Sequence, residues 1–398
     1  LFYAAIGTHL TMSFSTTLIL ISLLAPQDTE QIDRQGALSA QAENLHRVTP
    51  QHWDYLLPSD PWQTLVSPLT LDGVEFGVDQ NNPAALHLDT NADGVMDKRV
   101  SSAYARVQLK ATGGERHLLR IRRAGETWQW SNAEILTGHV EGVRFQIIDL
   151  NGDGRFDGYG RDAMVVGEKA GASYLSRVAS ISDQLFHLTI SATDENVSTR
   201  PYKGPTAHLN VMHGFHSRGA LDYAVFSSGE SSFELADAPD GRRIPAGSYR
   251  FITGRASKEA ETARMTGGSM APIVLAAEQS HSLAWGGPLH ARFRCSVSEG
   301  ELTVFSNVRF TGSGGEEYFG FAPDANSPSI RVLDVTTGKV VLYGQMGGCC
   351  GGGFSAYVAR VPSKIQLEVH LNHKRTLFET IRGRVRPTRV ANADKAPR

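Results

Sequence analysis

Two short stretches carry oxygen-bearing side chains at a spacing that has a chemical use. DTNADGVMD, Asp89 to Asp97, and DLNGDGRFD, Asp149 to Asp157, both read Asp-x-Asn-x-Asp-Gly-x-x-Asp. Calcium is a hard cation that gathers about six to eight oxygens, and a tight loop can offer them from alternate positions. Positions one, three and five are Asp89, Asn91 and Asp93 in the first loop and Asp149, Asn151 and Asp153 in the second. Position six must turn sharply, and Gly94 and Gly154 stand there. Position seven contributes a backbone carbonyl, from Val95 and Arg155, so its side chain is free to vary. Position nine adds Asp97 and Asp157. Magnesium suits this set less well, because it prefers few carboxylates and several retained waters. The plainer alternative is a pair of Asx-rich turns that hold no ion.

With those residues in view, the segments resemble the calcium loops of the EF-hand superfamily, particularly the secreted dockerin and thrombospondin type-3 versions. That resemblance implies an acid at position twelve, where this chain has Val100 and Gly160. Asp162 offers the second loop a replacement carboxylate, and the first loop has none in sequence. A strand pattern precedes each loop, LHL before Asp89 and VRFQII before Asp149. Calcium loops that connect strands are therefore expected, in place of a helix–loop–helix pair.

The elements that must position these loops read as antiparallel strands. ARVQLKA alternates Ala105, Val107 and Leu109 with polar residues, VRFQI does the same with Val143, Phe145 and Ile147, and KIQLEVHLNH with Ile365, Leu367, Val369 and Leu371. The fold class expected is mainly β, in multidomain antiparallel β-sandwich-like units with calcium-binding loops between strands. The divisions expected are residues 1–26, upstream residues and a signal peptide; 27–62, a polar lead-in with a short helix around Gln35 to His46; 63–200, a β domain with both loops; 201–270, a small sandwich-like domain; 271–377, a C-terminal sandwich; and 378–398, a solvated basic tail. IPAGSYRF resembles the closing strands of carboxypeptidase-regulatory-like modules. Together with RPYKGPTA, LAWGGPLHARF and GGEEYFGF it is also similar to large uncharacterised secreted bacterial proteins, a likeness that brings no activity with it.

The chain has 398 residues, is 41% hydrophobic and 20% charged, and carries a formal net charge of -2, so nothing global points to nucleic acid. MSFSTTLILISLLAPQ, from Met12, has the shape of a secretory signal, although no Lys or Arg precedes its apolar run; a buried N-terminal segment is the alternative. No later stretch reaches membrane-spanning length. Cys295, Cys349 and Cys350 suit one structural disulfide first and free thiols second. Catalytic signatures are missing: there is no nucleophile elbow, no HExxH, no phosphate loop and no dinucleotide fingerprint. His208, His213 and His216 read as turn histidines before a zinc site, and Trp128 and Trp130 as sheet packing before a sugar platform. The function expected is a secreted, periplasmic or cell-surface protein with structural calcium that meets a protein or glycan partner. A calcium-stabilised carbohydrate-binding module or hydrolase accessory protein is the alternative.

Overall fold

The computed structural model describes residues 41–82, 84–114, 116–191, 195–229, 231–305, 308–322, 329–345, 354–358, 360–370 and 377–389. The proposed signal segment, Cys349 and Cys350 lie outside them. Every regular element among the described residues is a strand, as the alternating patterns require, and the pairings are mostly antiparallel. Ala40–Arg398 forms one compact unit with four hydrophobic clusters.

A five-stranded sheet is ordered Ser173–Tyr174, Ala163–Val166, Val143–Ile148, Ile135–Val140, His46–Val48. Its central strand is more deeply placed than simple alternation suggests. Phe145 and Ile147 face one core, Ile148 faces another, and Gln146 between them is also buried, donating from Nε2 to the Tyr55 hydroxyl at 3.1 Å. A four-stranded sheet holds Tyr104–Leu109, His117–Ala124, Thr127–Asn132 and Gln63–Thr64. Trp128 and Trp130 are fully buried in its core, so neither can serve as a sugar platform.

Four features differ from the sequence reading. Residues 41–48 are strands, Gln41–Asn44 and His46–Val48, where the sequence suggested the end of a helix. The polar lead-in is tied down beyond them: Trp53, Tyr55 and Leu57 alternate onto the core of Ile135, Ile148 and Val165. The basic tail begins as a strand, Ile381–Val385, antiparallel to Ile365–His370. Its arginines alternate with buried Ile381 and with Gly383, whose missing side chain lets the strand approach the Ala291 backbone. Strands on either side of residue 270 share one sheet, because Glu261–Thr266 pairs with Glu317–Ala322, and they share one core.

Cys295 is a buried free thiol, and burial pushes its pKa up to about 11, which leaves it unreactive.

Candidate metal centre

Each acidic loop closes an antiparallel hairpin. The first joins Leu86–Leu88 to Lys98–Val100, and the second joins Val143–Ile148 to Ala163–Val166. No helix enters either loop.

The two loops match in backbone and in hydrogen bonding. Position four is left-handed in both, with φ of 59° at Ala92 and 69° at Gly152, and position six likewise, with 87° at Gly94 and 85° at Gly154. The position-one carboxylate receives the position-six amide: Gly94 N to Asp89 Oδ2 at 2.8 Å and Gly154 N to Asp149 Oδ2 at 3.0 Å. Position three donates its amide to position five: Asn91 Nδ2 to Asp93 Oδ2 at 2.9 Å, and Asn151 Nδ2 to Asp153 Oδ2 at 2.8 Å. The Val95 and Arg155 amides return to the same aspartates at 2.8 and 2.9 Å. Identical spacing has produced identical local folding, each Asx side chain gathering the amides just ahead of it.

Beyond position seven the loops diverge. In the first, Asp97 turns onto Thr90, accepting from its amide at 2.7 Å and its hydroxyl at 2.6 Å, and these bonds hold its carboxyl below the usual range. Val100, at position twelve, is a buried strand residue. In the second, Asp157 is paired with Arg155 at 2.7 Å, while Asp162 folds back into the loop. Asp162 is wholly buried and accepts from Gly158 N at 2.8 Å and Leu150 N at 3.2 Å. Asp149 is nearly as deep and also accepts from Asn132 Nδ2 at 3.0 Å. Asn132 escaped the sequence reading because it comes from a neighbouring strand.

Asp149 and Asp162 are thus two buried carboxylates with amide donors and, among the described residues, no cationic partner. Burial raises the Asp162 carboxyl to about 8, and the charges of Asp149 and Asp153 add to the rise. Burial likewise raises Asp149 to about 6, against the bond from Asn132. The second loop also packs on the neighbouring sheet. Gln63 Nε2 donates to the Asn151 carbonyl, and a side chain at Gly152 would meet Gln63 and the Trp130 ring.

Among the described residues, no three His, Cys, Asp or Glu side chains stand together as a metal-holding group. The loop carboxylates are turned toward the loops' own amides, and Arg155 takes Asp157. The same holds for the histidines: His213 and His216 are exposed, and His208 sits on the strand Thr206–Asn210. The donor set of the second loop is nonetheless all oxygen and rich in carboxylate, which is the chemistry calcium requires.

Comparison with known protein families, with characterised proteins and with solved structures found no match.

Proposed function

We propose that the chain is a calcium-stabilised β scaffold of the cell surface or envelope, secreted or periplasmic, whose role is to present a surface to a protein or glycan partner. The observation that carries this reading is the buried pair Asp149 and Asp162, two acids brought together at a hairpin end with no cationic partner among the described residues. Removing one carboxylate from water without a counter-charge costs several kcal/mol, and two together cost more. Bound calcium supplies the positive charge that makes both ionised groups tolerable there.

In the second loop Asp149, Asn151, Asp153 and Asp162 would hold the ion with the Arg155 carbonyl, and Asp157 would join by releasing the Arg155 guanidinium. In the first, Asp89, Asn91, Asp93 and the Val95 carbonyl offer a smaller set, with Asp97 held by Thr90. The second loop is therefore the stronger site. An affinity of about 10⁻⁴–10⁻³ M, the class of extracellular modules, keeps such loops filled outside a cell.

Isothermal titration of the chelator-treated full chain with calcium tests this. Saturable binding that Asp162→Asn weakens about tenfold or more, by loss of one charged ligand, supports the reading. Absence of heat and of bound metal at millimolar calcium overturns it.

A further inference from the structure

A cleft of about 750 Å³ lies where the segment from Trp53 to Trp62 passes the strands His117–Ala124, Gly247–Lys258 and Glu261–Thr266. Its size is that of a pocket for a small organic ligand or a few sugar rings. Arg120, Arg122, Arg255 and Arg264 line it, against a single acid, Asp60. Arg255 is already paired with Asp222 at 3.2 Å. Among the described residues the other three make no ion pair with a carboxylate.

Arg120 is the unusual member. It is only 4% exposed, yet its hydrogen bonds go to neutral oxygens: Nε to the Asn132 carbonyl at 3.2 Å and Nη2 to Ser131 Oγ at 2.6 Å. Its guanidinium lies 3.6 Å from the Trp53 ring centroid and 5.0 Å from that of Trp62. Arg122 stacks on the other indole, 4.3 Å from its centroid. Burial lowers the Arg120 pKa to about 10, with the charges of Arg106 and Arg122 working in the same direction. The Trp53 ring that Arg120 covers adds a second observation: its Nε1 is buried and, among the described residues, has no hydrogen-bond partner.

A buried guanidinium without a counter-charge is costly unless something anionic offsets it. Stacking covers a face of each guanidinium, and Arg122 Nε donates to Gln129 Oε1 at 2.8 Å; beyond these bonds each guanidinium keeps terminal in-plane N–H groups, which suit a planar carboxylate in particular. The apolar part of the cleft comes from Trp62, which is half-buried, and Phe319, which is 44% exposed. An exposed aromatic face such as that of Phe319 packs well against the C–H face of a sugar ring, with Trp62, already stacked by Arg122, beside it. The chain's net charge of -2 argues against a long polyanion, which would need positive surface far beyond one cleft.

We propose that this cleft binds a carboxylated sugar, a uronic-acid-bearing oligosaccharide segment, with Arg120, Arg122 and Arg264 receiving the carboxylate and Trp62 and Phe319 packing on the ring. This site uses no residue of the calcium loops and does not use Trp128; Asn132, which accepts from Arg120 and donates to Asp149, is the residue the two places share.

The full chain is titrated, with calcium and with chelator, against a glucuronate-containing hexasaccharide and its carboxyl-reduced counterpart, by calorimetry and tryptophan fluorescence. The acidic sugar is expected to bind saturably in both conditions and the reduced one about tenfold or more weakly, the loss of a charged hydrogen-bonded contact. Arg264→Ala and Phe319→Ala, both at exposed positions, are expected to weaken binding without lowering the melting temperature. Arg122→Gln keeps the size of the side chain and removes its charge, and should reproduce the effect of carboxyl reduction. Failure to bind, equal binding of the reduced sugar, or indifference to all three variants overturns the proposal. So does full competition by sulfate alone, which would mark a simple oxyanion site, or tighter binding of a single-stranded oligonucleotide. Because the titrations run with and without calcium, loss of the loop reading leaves this test intact.

Discussion

Glu316 shows how one buried acid sets a pH response. It is fully buried, and its Oε1 accepts from Gly286 N at 2.7 Å and from the Tyr318 hydroxyl at 3.0 Å. Burial outweighs these bonds and raises its pKa above 4.5. The folded chain therefore holds this proton more tightly than the unfolded chain does. Its contribution is complete below the unfolded pKa and is lost as pH rises through the higher folded value. Glu316→Gln should flatten that part of the stability profile, as read from urea midpoints over a pH series running upward from below 4.5; an unchanged profile would show that Glu316 does not cause it. Gly152 and Gly94 provide a second comparison at this scale. Both have positive φ, but a side chain at Gly94 meets nothing within 4 Å, while one at Gly152 comes within 2.8 Å of the Trp130 ring. Gly94→Ala should cost about 1–2 kcal/mol, the left-handed penalty alone, and Gly152→Ala about 1–3 kcal/mol more, from overpacking. Equal unfolding free energies for the two variants would show that the second loop does not seat against the Trp130 sheet.

At the scale of the element, much of the hairpin architecture can be read from periodicity and turn chemistry. Alternation at Tyr104–Leu109 and Ile365–His370 marks their inward faces, and the Asx–Gly spacing marks both loops. What could not be read depends on contacts distant in sequence. Gln146 looks like an outward residue until Tyr55 covers it, and Asn132 has no motif of its own. The Arg120–Trp53 stack likewise joins residues that no short window contains. The pairing of Glu261–Thr266 with Glu317–Ala322 crosses the division that composition suggested near residue 270. The hairpin is also where calcium should act most locally. With the ion bound, amides across 149–162 should exchange more slowly than with chelator, and those across 89–97 should gain less, because the first loop lacks a partner like Asp162. Hydrogen exchange measured by mass spectrometry separates the two. Equal gains would show that Asp162 is not the residue that distinguishes the loops.

For the whole molecule, the question is how far one loop's stabilisation travels. Mass action with an affinity of about 10⁻⁴–10⁻³ M yields about 1.4–2.7 kcal/mol per site at about 10 mM calcium. The loops belong to the part of the chain with three smaller cores, and the largest core lies beyond residue 177. Buried polar contacts tie these parts together. The Tyr223 hydroxyl donates to the Ala172 carbonyl at 2.5 Å, and Ser232 N donates to Ser176 Oγ at 3.0 Å. Lys169 Nζ lies 3.0 Å from both Glu234 and Asp237. Glu234 is 5% exposed, and its pKa is raised by burial despite the nearby ammonium. With these ties intact, calorimetry should show one main transition that calcium moves as a whole. Lys169→Ala leaves Glu234 buried without its counter-charge, a change that costs about 3 kcal/mol where both partners are enclosed and less here, where the lysine is partly exposed. In that variant the transition should split, with only the component containing residues 149–162 still answering to calcium. A single transition in the variant that shifts with calcium as the native one does would show that the coupling runs through the shared apolar packing and not through Lys169.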